Sequence, residues 1–338
     1  MENKKLGVLI MRAQPLHAGH RDLIRKARLD CDRLIILIGS ANSPRTIKNP
    51  FTFREREIEI TTFLEHEYSD NRKNDIYTYP LNDYRYSNFN WLSDVNSIIE
   101  ENKLNHDVIL FGHFKEGNNY LNWFPQYQFQ NIDATYDVNA TSIRNVWFTE
   151  ARHKFHPDVL EDYDYFTKEK KLFAEYPFPD TLNFNCGDVV LECARHVLLI
   201  KRKFAPGRNT WALPGGFKNS NETFLECAIR ELIEETNIDV SESILHDSIV
   251  GSELFDQPNR GCGLNRTTLA VHIRIRPNSD GTLPQVNGID DASLAEWKPI
   301  ASIMDEMDLF DDHSHIIQKM GNVMPSPAHK NGRYRFQN

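Results

Sequence analysis

The first half of the chain alternates short apolar runs with segments of helical pattern, and this alternation constrains the fold most strongly. Runs of four or five apolar residues, the length of a buried strand, lie at 6–10, 34–38 and 108–111. Helical patterns occupy 20–30, 53–68 and 91–102. Such alternation is typical of a parallel sheet covered by helices on both faces. We therefore expect residues 1–150 to form an α/β domain with a doubly wound parallel sheet.

The carboxyl ends of these predicted strands carry glycine and polar residues. The segments concerned are Gln14–His20, Gly39–Ser40 and Gly112–His113. Ligands of open α/β sheets bind outside the carboxyl ends of the strands. The sequence therefore predicts a ligand site that includes Gln14, Gly39, Ser40, Gly112 and His113.

The two histidines of the segment QPLHAGH, His17 and His20, open the first predicted helix. A metal site is one interpretation, but no third ligand follows at metal spacing; a structural pair is another. The free N–H groups at a helix N-terminus attract phosphate, and Gly19 lets a ligand approach the backbone. Imidazoles at this position can donate hydrogen bonds to phosphate oxygens as charge builds in a transition state. We therefore predict that His17 and His20 bind phosphate and act in catalysis.

The character of the chain changes after residue 150. Residues 151–181 are polar, aromatic and acidic, and the two prolines of Tyr176–Asp180 disfavour a helix and indicate a linker. Beyond it, strand-like runs at 188–191, 197–201 and 267–274 surround a helical pattern at 222–236. We expect residues 182–338 to form a second, α+β domain.

The predicted helix of the second domain places three carboxylates on one face. Glu231, Glu234 and Glu235 are spaced i, i+3 and i+4, so they are neighbours on the helix surface. A solvated acidic face is the alternative, but three stacked like charges cost stability unless they are neutralised. A hard divalent cation, Mg²⁺ or Mn²⁺, is the natural partner of such oxygen ligands.

Residues 216–238 resemble the Nudix box of hydrolases that cleave nucleoside diphosphate derivatives. Gly216, Glu222, the Arg230-Glu231 pair and the Glu234-Glu235 pair match the pattern, whereas Asn237 replaces a glycine. Asparagine is the best substitute for glycine in a left-handed helix cap. The resemblance implies that Glu231 and Glu235 are the main metal ligands, assisted by Glu234 and the Gly216 carbonyl. It also implies that Arg230 orients the glutamates while water attacks a phosphorus atom.

The first domain resembles the HxGH nucleotidylyltransferases, which have a doubly wound fold. The segment Asn139–Arg144 resembles their second phosphate motif, with Thr141 as a substrate ligand and Arg144 as a catalytic residue. The family begins its first loop with a glycine and an aromatic residue, where this chain has Met11 and Ala13. Segments similar to those of nicotinamide mononucleotide adenylyltransferases imply further nucleotide contacts, made by Gly112, His113, Lys115, Asn49, Asp83 and Trp91.

The two domains in this order resemble the bifunctional nicotinamide mononucleotide adenylyltransferase/Nudix hydrolases. This resemblance implies that the first domain makes NAD and pyrophosphate from ATP and nicotinamide mononucleotide. It implies that the second hydrolyses ADP-ribose to AMP and ribose 5-phosphate, with a substrate loop containing Phe255, Asp256, Arg260 and Arg266. Two alternatives stay open: a first domain that binds nucleotide without catalysis, and a Nudix domain for another nucleoside diphosphate derivative.

Charge and composition exclude several classes of partner. A formal net charge of -9 disfavours surfaces for nucleic acid or anionic membranes, which need dense Lys/Arg patches. The five cysteines contain no CxxC pair, which is typical of reduced cytosolic thiols. No apolar run reaches membrane-spanning length and no signal peptide is evident, so we expect a cytoplasmic protein. The oligomeric state is left open, a homo-oligomer included.

Overall fold

A computed structural model describes residues 4–68, 75–113, 123–178, 181–258, 260–306 and 308–321. The described chain divides into two compact units. The first unit comprises residues up to 43 together with 48–155, and the second comprises 44–47 together with the residues from 156 onward. The predicted domain limits near 150 and 182 stay predictions.

The first unit is built on a sheet of five parallel strands in the order β3-β2-β1-β4-β5. The strands are β1 (Lys5–Met11), β2 (Arg33–Ile38), β3 (Ile76–Pro80), β4 (Asp107–Gly112) and β5 (Gln128–Asn131). The helices are α1 (Ala18–Leu29), α2 (Phe53–Glu67), α3 (Asn88–Asn102) and α4 (Ala140–Glu150). The predicted parallel sheet is confirmed.

Alternate side chains of the central strand β1 enter two different apolar clusters. Leu9 packs with Ile24 of α1 and Ile60 of α2, whereas Val8 packs with Val95 of α3. Successive side chains of a strand point to opposite faces of the sheet. Helices therefore cover both faces, as the doubly wound prediction requires.

The second unit has a mixed sheet whose main path is β10-β11-β6-β7-β12, with β8 beside β7 and β9 beside β6. Its strands are β6 (Asn183–Cys193), β7 (His196–Arg202), β8 (Trp211–Ala212), β9 (Gly215–Phe217), β10 (Ile249–Phe255), β11 (Asn265–Ile275) and β12 (Ala292–Pro299). Its helices are α5 (Pro157–Leu172), α6 (Phe224–Thr236), α7 (Glu242–Asp247), α8 (Ile300–Glu306) and α9 (His313–Gly321). The expected α+β class of the second domain is confirmed.

Helix α6 lies against the middle of this sheet through its apolar face. Ala228, Ile229 and Leu232 share one buried cluster with Val189 of β6 and Val271 of β11. Burying such side chains stabilises the fold by about 1.5–3 kcal/mol each. The carboxylates of Glu231 and Glu235 are thereby held beside Gly216 and Gly215 of β9.

Helix α5 lies inside the stretch that the sequence predicted to be a linker. Pro157 stands at the first turn, where its missing N–H is not needed. Asp162 accepts a hydrogen bond from the Gly207 N–H at 2.8 Å, and Glu169 accepts one from the Leu264 N–H at 2.9 Å. Most of 151–181 is therefore a packed helix of the second unit. The prolines near 177, which suggested a linker, lie beyond the end of this helix.

Within the described ranges, no helix combines the length and apolarity needed to cross a membrane.

Candidate active sites of the two units

The acidic helix α6 begins and ends with specific backbone caps. The Thr223 hydroxyl accepts a hydrogen bond from the Glu226 N–H at 3.2 Å, and the Thr223 N–H donates to the Glu226 carboxylate at 2.7 Å. This reciprocal pair satisfies N–H groups that a helix start leaves open. At the other end Asn237 adopts the left-handed conformation, with φ 42° and ψ 43°. Asparagine thus takes the place of the Nudix glycine at the conformation that glycine usually supplies.

The guanidinium of Arg230 binds three carboxylates at once. Its Nη1 donates to Glu231 and to Glu234, each at 2.8 Å. Its Nε and Nη2 form a two-pronged pair with Glu222 at 2.9 and 2.8 Å. These bonds, together with one from the Asn219 N–H, hold the pKa of Glu222 down at about 2. Arg230 therefore offsets the mutual repulsion of the glutamates and fixes their side chains.

Glu235 is the buried member of the acidic group, with 4% of its surface exposed. Its carboxylate accepts a hydrogen bond from the Gly215 N–H at 2.9 Å. Burial raises the pKa of Glu235 to about 8, against that hydrogen bond. Burial also raises the pKa of Glu231. Desolvation penalises the charged form, so a cation beside these groups would favour the carboxylates.

Gly216 lies directly against the carboxylate of Glu231. A Cβ at this position would come within 2.5 Å of the Glu231 carboxyl carbon, so no larger residue fits without a shift. The Gly216 carbonyl accepts a hydrogen bond from the Cys227 thiol at 3.6 Å. The glycine therefore allows the Glu231 carboxylate to pack directly against the backbone.

A cavity of about 370 Å³ opens in front of this acidic group. Its wall includes all four predicted metal-binding residues and, of the predicted substrate loop, Arg260 and Arg266. Further wall residues are Asp188, Arg202, Phe204, Phe217, Asp290, Asp291 and His313. The volume lies within the range of small-molecule sites.

Two arginines of the predicted substrate loop lie in the cavity wall as members of ion pairs. Arg260 pairs with the buried carboxylate of Asp312 at 2.8 and 3.1 Å. Arg266 pairs with Glu169 of α5, and its guanidinium lies 5.9 Å from the ring centroid of Phe217. The sequence predicted these two positions but not their carboxylate partners, which come from distant parts of the chain.

Phe255 and Asp256, also predicted to bind substrate, are not among the cavity residues of the described chain. Phe255 ends strand β10 with its side chain buried in the protein interior, and Asp256 is exposed just after the strand. The alternation of the strand turns the Phe255 ring toward the interior. Whether either residue contacts a substrate stays a prediction.

The donor set of the acidic group suits a hard divalent cation. Three carboxylates and one carbonyl are the oxygen ligands that Mg²⁺ and Mn²⁺ prefer. In the part of the chain that the structure describes, no three ligand side chains already converge on one point. The carboxylates of Glu231 and Glu234 are instead held by Arg230, and that of Glu235 by the Gly215 N–H. The chemistry of the residues fits the cation, and the cavity of about 370 Å³ that they line gives it room.

In the first unit, His17 and His20 stack on each other where helix α1 begins. Their ring centroids are 3.8 Å apart, with 26° between the ring planes. The His17 N–H donates to His20 Nδ1 at 3.4 Å, which leaves Nε2 as the protonated nitrogen of a neutral His20 ring. A Cβ on Gly19 would lie 3.2 Å from the His17 ring, so the glycine makes room for the stack.

Arg144 connects the second predicted phosphate motif to the histidine loop. Its Nη1 donates to the Gln14 carbonyl at 2.6 Å, and its Nη2 donates to the Thr141 hydroxyl at 3.2 Å. Asn139 caps helix α4 by accepting a hydrogen bond from the Ser142 N–H at 2.9 Å. The two predicted phosphate motifs therefore meet, although more than a hundred residues separate them in sequence.

Arg56 lies in a segment similar to the adenylyltransferase loops, but its structural role could not be predicted from the sequence. It is 1% exposed, and burial lowers its pKa to about 10. Its guanidinium donates to the carbonyls of Arg12 at 2.6 Å, Gly39 at 2.7 Å and Ser40 at 3.0 Å. Arg56 thus connects the ends of β1 and β2. These contacts were not predicted, because the partners are backbone groups of distant loops.

The comparisons with known proteins match both halves of the chain. The family described as "Cytidylyltransferase-like" matches residues 12–146, and the family described as "NUDIX domain" matches residues 186–320. A nicotinamide/nicotinic acid mononucleotide adenylyltransferase of Acinetobacter baylyi is 32% identical over 147 residues, 42% of this chain and 74% of that protein. A nicotinamide-nucleotide adenylyltransferase of Methanococcus maripaludis is 41% identical over 90 residues, 27% of this chain and 49% of that protein. The chain thus spans about half the length of the nicotinamide-nucleotide adenylyltransferase of Methanococcus maripaludis.

One solved structure is similar over both units. It is a bifunctional NMN adenylyltransferase/ADP ribose pyrophosphatase from Francisella tularensis, with a TM-score of 0.84 and 28% identity. The match covers 94% of this chain and 99% of that one. The chain belongs to the family of nicotinamide/nicotinic acid mononucleotide adenylyltransferases. A second structure of the Francisella protein, with AMP and Mn ion, matches over the same 94% and 99% with a TM-score of 0.83 and 28% identity.

The two departures from the family's first loop are both buried. Met11 is the last residue of β1, pairs with Ile38 and packs into the apolar core. Ala13 is also in that core and has a φ of 49°, a value at which a larger side chain is strained. The Met11 side chain therefore fills the interior.

Gln14 connects the histidine loop to Phe51. It is 2% exposed, its amide nitrogen donates to the Phe51 carbonyl at 2.8 Å, and its amide oxygen accepts from the Phe51 N–H at 3.0 Å. A buried amide engaged at both ends holds a loop in place. The sequence does not show this pairing, and whether Gln14 also contacts a substrate stays a prediction.

The remaining predicted ligands of the first unit lie around the same strand ends. Asp83 accepts a hydrogen bond from the Ser43 hydroxyl at 3.2 Å. His113 Nδ1 lies 3.2 Å from the Ile132 carbonyl. The other positions are the half-buried Trp91 and Asn49 and the buried Gly39, Ser40 and Gly112. Lys115 lies outside the described residues. Whether these side chains contact a nucleotide stays a prediction.

Proposed function

We propose that the chain catalyses two reactions of NAD metabolism. In the first unit the adenylyl group of ATP passes to nicotinamide mononucleotide, giving NAD and pyrophosphate. In the second unit Mg²⁺-dependent hydrolysis of ADP-ribose gives AMP and ribose 5-phosphate. The main support is that one chain contains both candidate sites. In the first unit Arg144 contacts the Gln14 carbonyl of the loop that carries the two histidines. In the second unit the acidic helix α6 lines a cavity of nucleotide-binding size.

The transfer reaction needs positioning and charge stabilisation, not a covalent nucleophile. A phosphate oxygen of nicotinamide mononucleotide attacks the α-phosphorus of ATP, and the bond to the bridging oxygen of the β-phosphate breaks. His17, His20 and Arg144 are the donors that stabilise the charge on the reacting phosphates. The hydrogen bond from Arg144 to the Gln14 carbonyl holds this arginine beside the loop that carries the two histidines.

The hydrolysis uses the acidic helix of the second unit. Glu231, Glu234, Glu235 and the Gly216 carbonyl hold the cation, and Arg230 holds two of these carboxylates in place. The bound cation lowers the pKa of water and screens the diphosphate. Asp290 and Asp291, in the cavity wall, are candidates for the group that accepts the proton of the attacking water.

The test is product analysis with the full chain and Mg²⁺. ATP with nicotinamide mononucleotide, ADP-ribose alone, and NAD alone are incubated separately, and the products are chromatographed. NAD from the first mixture and AMP with ribose 5-phosphate from the second are expected. A failure to make NAD would favour a first unit that binds nucleotide without catalysis. Hydrolysis of NAD in preference to ADP-ribose would favour a different Nudix substrate.

We also propose that the enzyme works in the cytoplasm and uses Mg²⁺, with Mn²⁺ as the alternative cation. The five cysteines, all of them described, form no disulfide, which agrees with a reducing compartment. Replacing Mg²⁺ with Mn²⁺ in the hydrolysis assay tests the metal: a higher kcat/KM with Mn²⁺ would favour the alternative.

A further inference from the structure

His313 is a cavity residue of the second unit to which neither the sequence motifs nor the proposed reaction gives a role. It is the first residue of helix α9, is 7% exposed, and lies in the wall of the cavity that Glu231 and Glu235 also line. Its Nδ1 accepts a hydrogen bond from the Leu213 N–H at 2.9 Å. Leu213 directly precedes Pro214, Gly215 and Gly216.

The hydrogen bond from Leu213 fixes the tautomer of His313. A ring nitrogen that accepts a backbone N–H carries no proton, so the proton of the neutral ring is on Nε2. Burial lowers the pKa of His313, which keeps the ring neutral. The charged groups that act on it are Asp188 and Asp312, which favour the cation, and Arg260 and Arg202, which oppose it. His313 is thus a neutral donor with its Nε2–H on the side away from Leu213.

Two of these charges act on Glu235 as well as on His313. They are the charges of Asp188 and Arg202. All four residues line the same cavity. The ring therefore shares this cavity with the acidic group.

The charge state of His313 decides what it can bind there. An imidazolium beside the carboxylates would form an ion pair with them and would compete with a metal ion. A neutral Nε2–H does not compete with the metal as a charge, but it can donate a hydrogen bond to a phosphate oxygen. The edge contact with the Phe310 ring, 5.5 Å between centroids, holds the imidazole plane.

We propose that His313 is a substrate-binding residue whose Nε2–H donates a hydrogen bond to an oxygen of the substrate's diphosphate. The assignment rests on the proposed hydrolase function of the cavity. If the only role of His313 were to accept the Leu213 N–H, any side chain with an acceptor at the Nδ1 position could replace it without loss of hydrolysis. If it also donates to substrate, the replacement must provide a donor at the Nε2 position.

A pair of amide variants separates these two roles. In His313→Asn the side-chain oxygen can accept the Leu213 N–H, but no donor reaches the Nε2 position. In His313→Gln the longer side chain brings its NH₂ group to that position. With the full chain and saturating Mg²⁺, we expect the Asn variant to lose about 10- to 100-fold in kcat/KM for ADP-ribose. The Gln variant should keep most of the wild-type value. An Asn variant that unfolds at the wild-type temperature and hydrolyses at the wild-type rate contradicts the proposal.

A second measurement does not depend on hydrolysis or on the folding of a variant. In full-length protein with ¹⁵N-labelled histidine, the His313 ring should give the signals of a neutral Nε2–H tautomer at pH 7. Adding ADP with Mg²⁺ should shift the Nε2–H signal. A proton on Nδ1, an imidazolium, or a signal that ADP leaves unchanged overturns the assignment. A wild-type protein that passes this test but does not hydrolyse ADP-ribose would instead contradict the proposed substrate.

Discussion

Replacing Glu235 with glutamine should stabilise the metal-free protein. The Glu235 carboxyl is buried, and burial raises its pKa from an ordinary value of 4.5 to about 8. Glutamine keeps an oxygen that can accept the Gly215 N–H, whose bond to Glu235 is 2.9 Å long. The substitution therefore removes the charge while it preserves the hydrogen bond and nearly the same volume.

The size of this effect follows from the linkage between protonation and folding. Between pH 4.5 and pH 8 the folded state holds a proton at Glu235 that the unfolded state has released. The free energy of unfolding therefore falls as the pH rises through this window, by about 1.4 kcal/mol for each pH unit. At pH 7, about 2.5 units into the window, the loss is about 3 kcal/mol. Glu235→Gln avoids this loss.

The assay is denaturant unfolding of the full-length wild type and Glu235→Gln in the presence of a chelator, from pH 5 to pH 9. The difference between the two free energies of unfolding should be small at pH 5 and reach about 3 kcal/mol at pH 7. Glu175→Gln, at an exposed position of the same unit, is the matched control and should show no such trend. A Glu235→Gln difference that does not change with pH would refute the reasoning. Added Mg²⁺ should stabilise the wild type more than the variant.

Three further substitutions test individual contacts. His20→Ala should lower the rate of NAD formation about a hundredfold, mainly in kcat, because it removes one preorganised donor. Steady-state kinetics with ATP and nicotinamide mononucleotide measure this rate, and an unchanged kcat refutes the role. Arg56→Met should lower the free energy of unfolding by about 3 kcal/mol or more, because three backbone carbonyls lose their donor. Denaturant unfolding measures this change, and a decrease below about 1 kcal/mol would be too small for this role. Gly216→Ala should abolish ADP-ribose hydrolysis, since the new Cβ would lie 2.5 Å from the Glu231 carboxyl carbon. The control Gly251→Ala, with nothing within 4 Å of its added Cβ, should leave hydrolysis unchanged, and equal activity of the two variants would contradict the steric argument.

Local patterns were sufficient to predict the parts of the fold that depend on local periodicity. The apolar run at 34–38 became β2 (Arg33–Ile38), and the acidic pattern at 222–236 became α6 (Phe224–Thr236). The cap at Asn237 was predicted from the left-handed preference of asparagine, and its φ of 42° agrees. These features depend on residues within one or two helical turns, so the sequence contains the whole signal.

The structural roles that sequence reasoning missed depend on contacts between distant segments. Arg56 acts on the Gly39 carbonyl, and His313 acts on the Leu213 N–H across 100 residues. Neither pairing leaves a periodic pattern. Asp188 did leave a signal, since a charged residue inside an apolar strand is unusual and points to a functional position. Helix α5 escapes prediction because the prolines that disfavour a helix lie only beyond its C-terminal end.

The central claim is that one chain holds two independent reaction sites, and a crossed comparison of two variants tests it most directly. NAD formation and ADP-ribose hydrolysis are measured side by side, with Mg²⁺, in full-length His20→Ala and Glu235→Gln. We expect His20→Ala to lose NAD formation and keep hydrolysis, and Glu235→Gln to lose hydrolysis and keep NAD formation. Loss of both activities in either folded variant, or full hydrolysis in Glu235→Gln, would contradict the account.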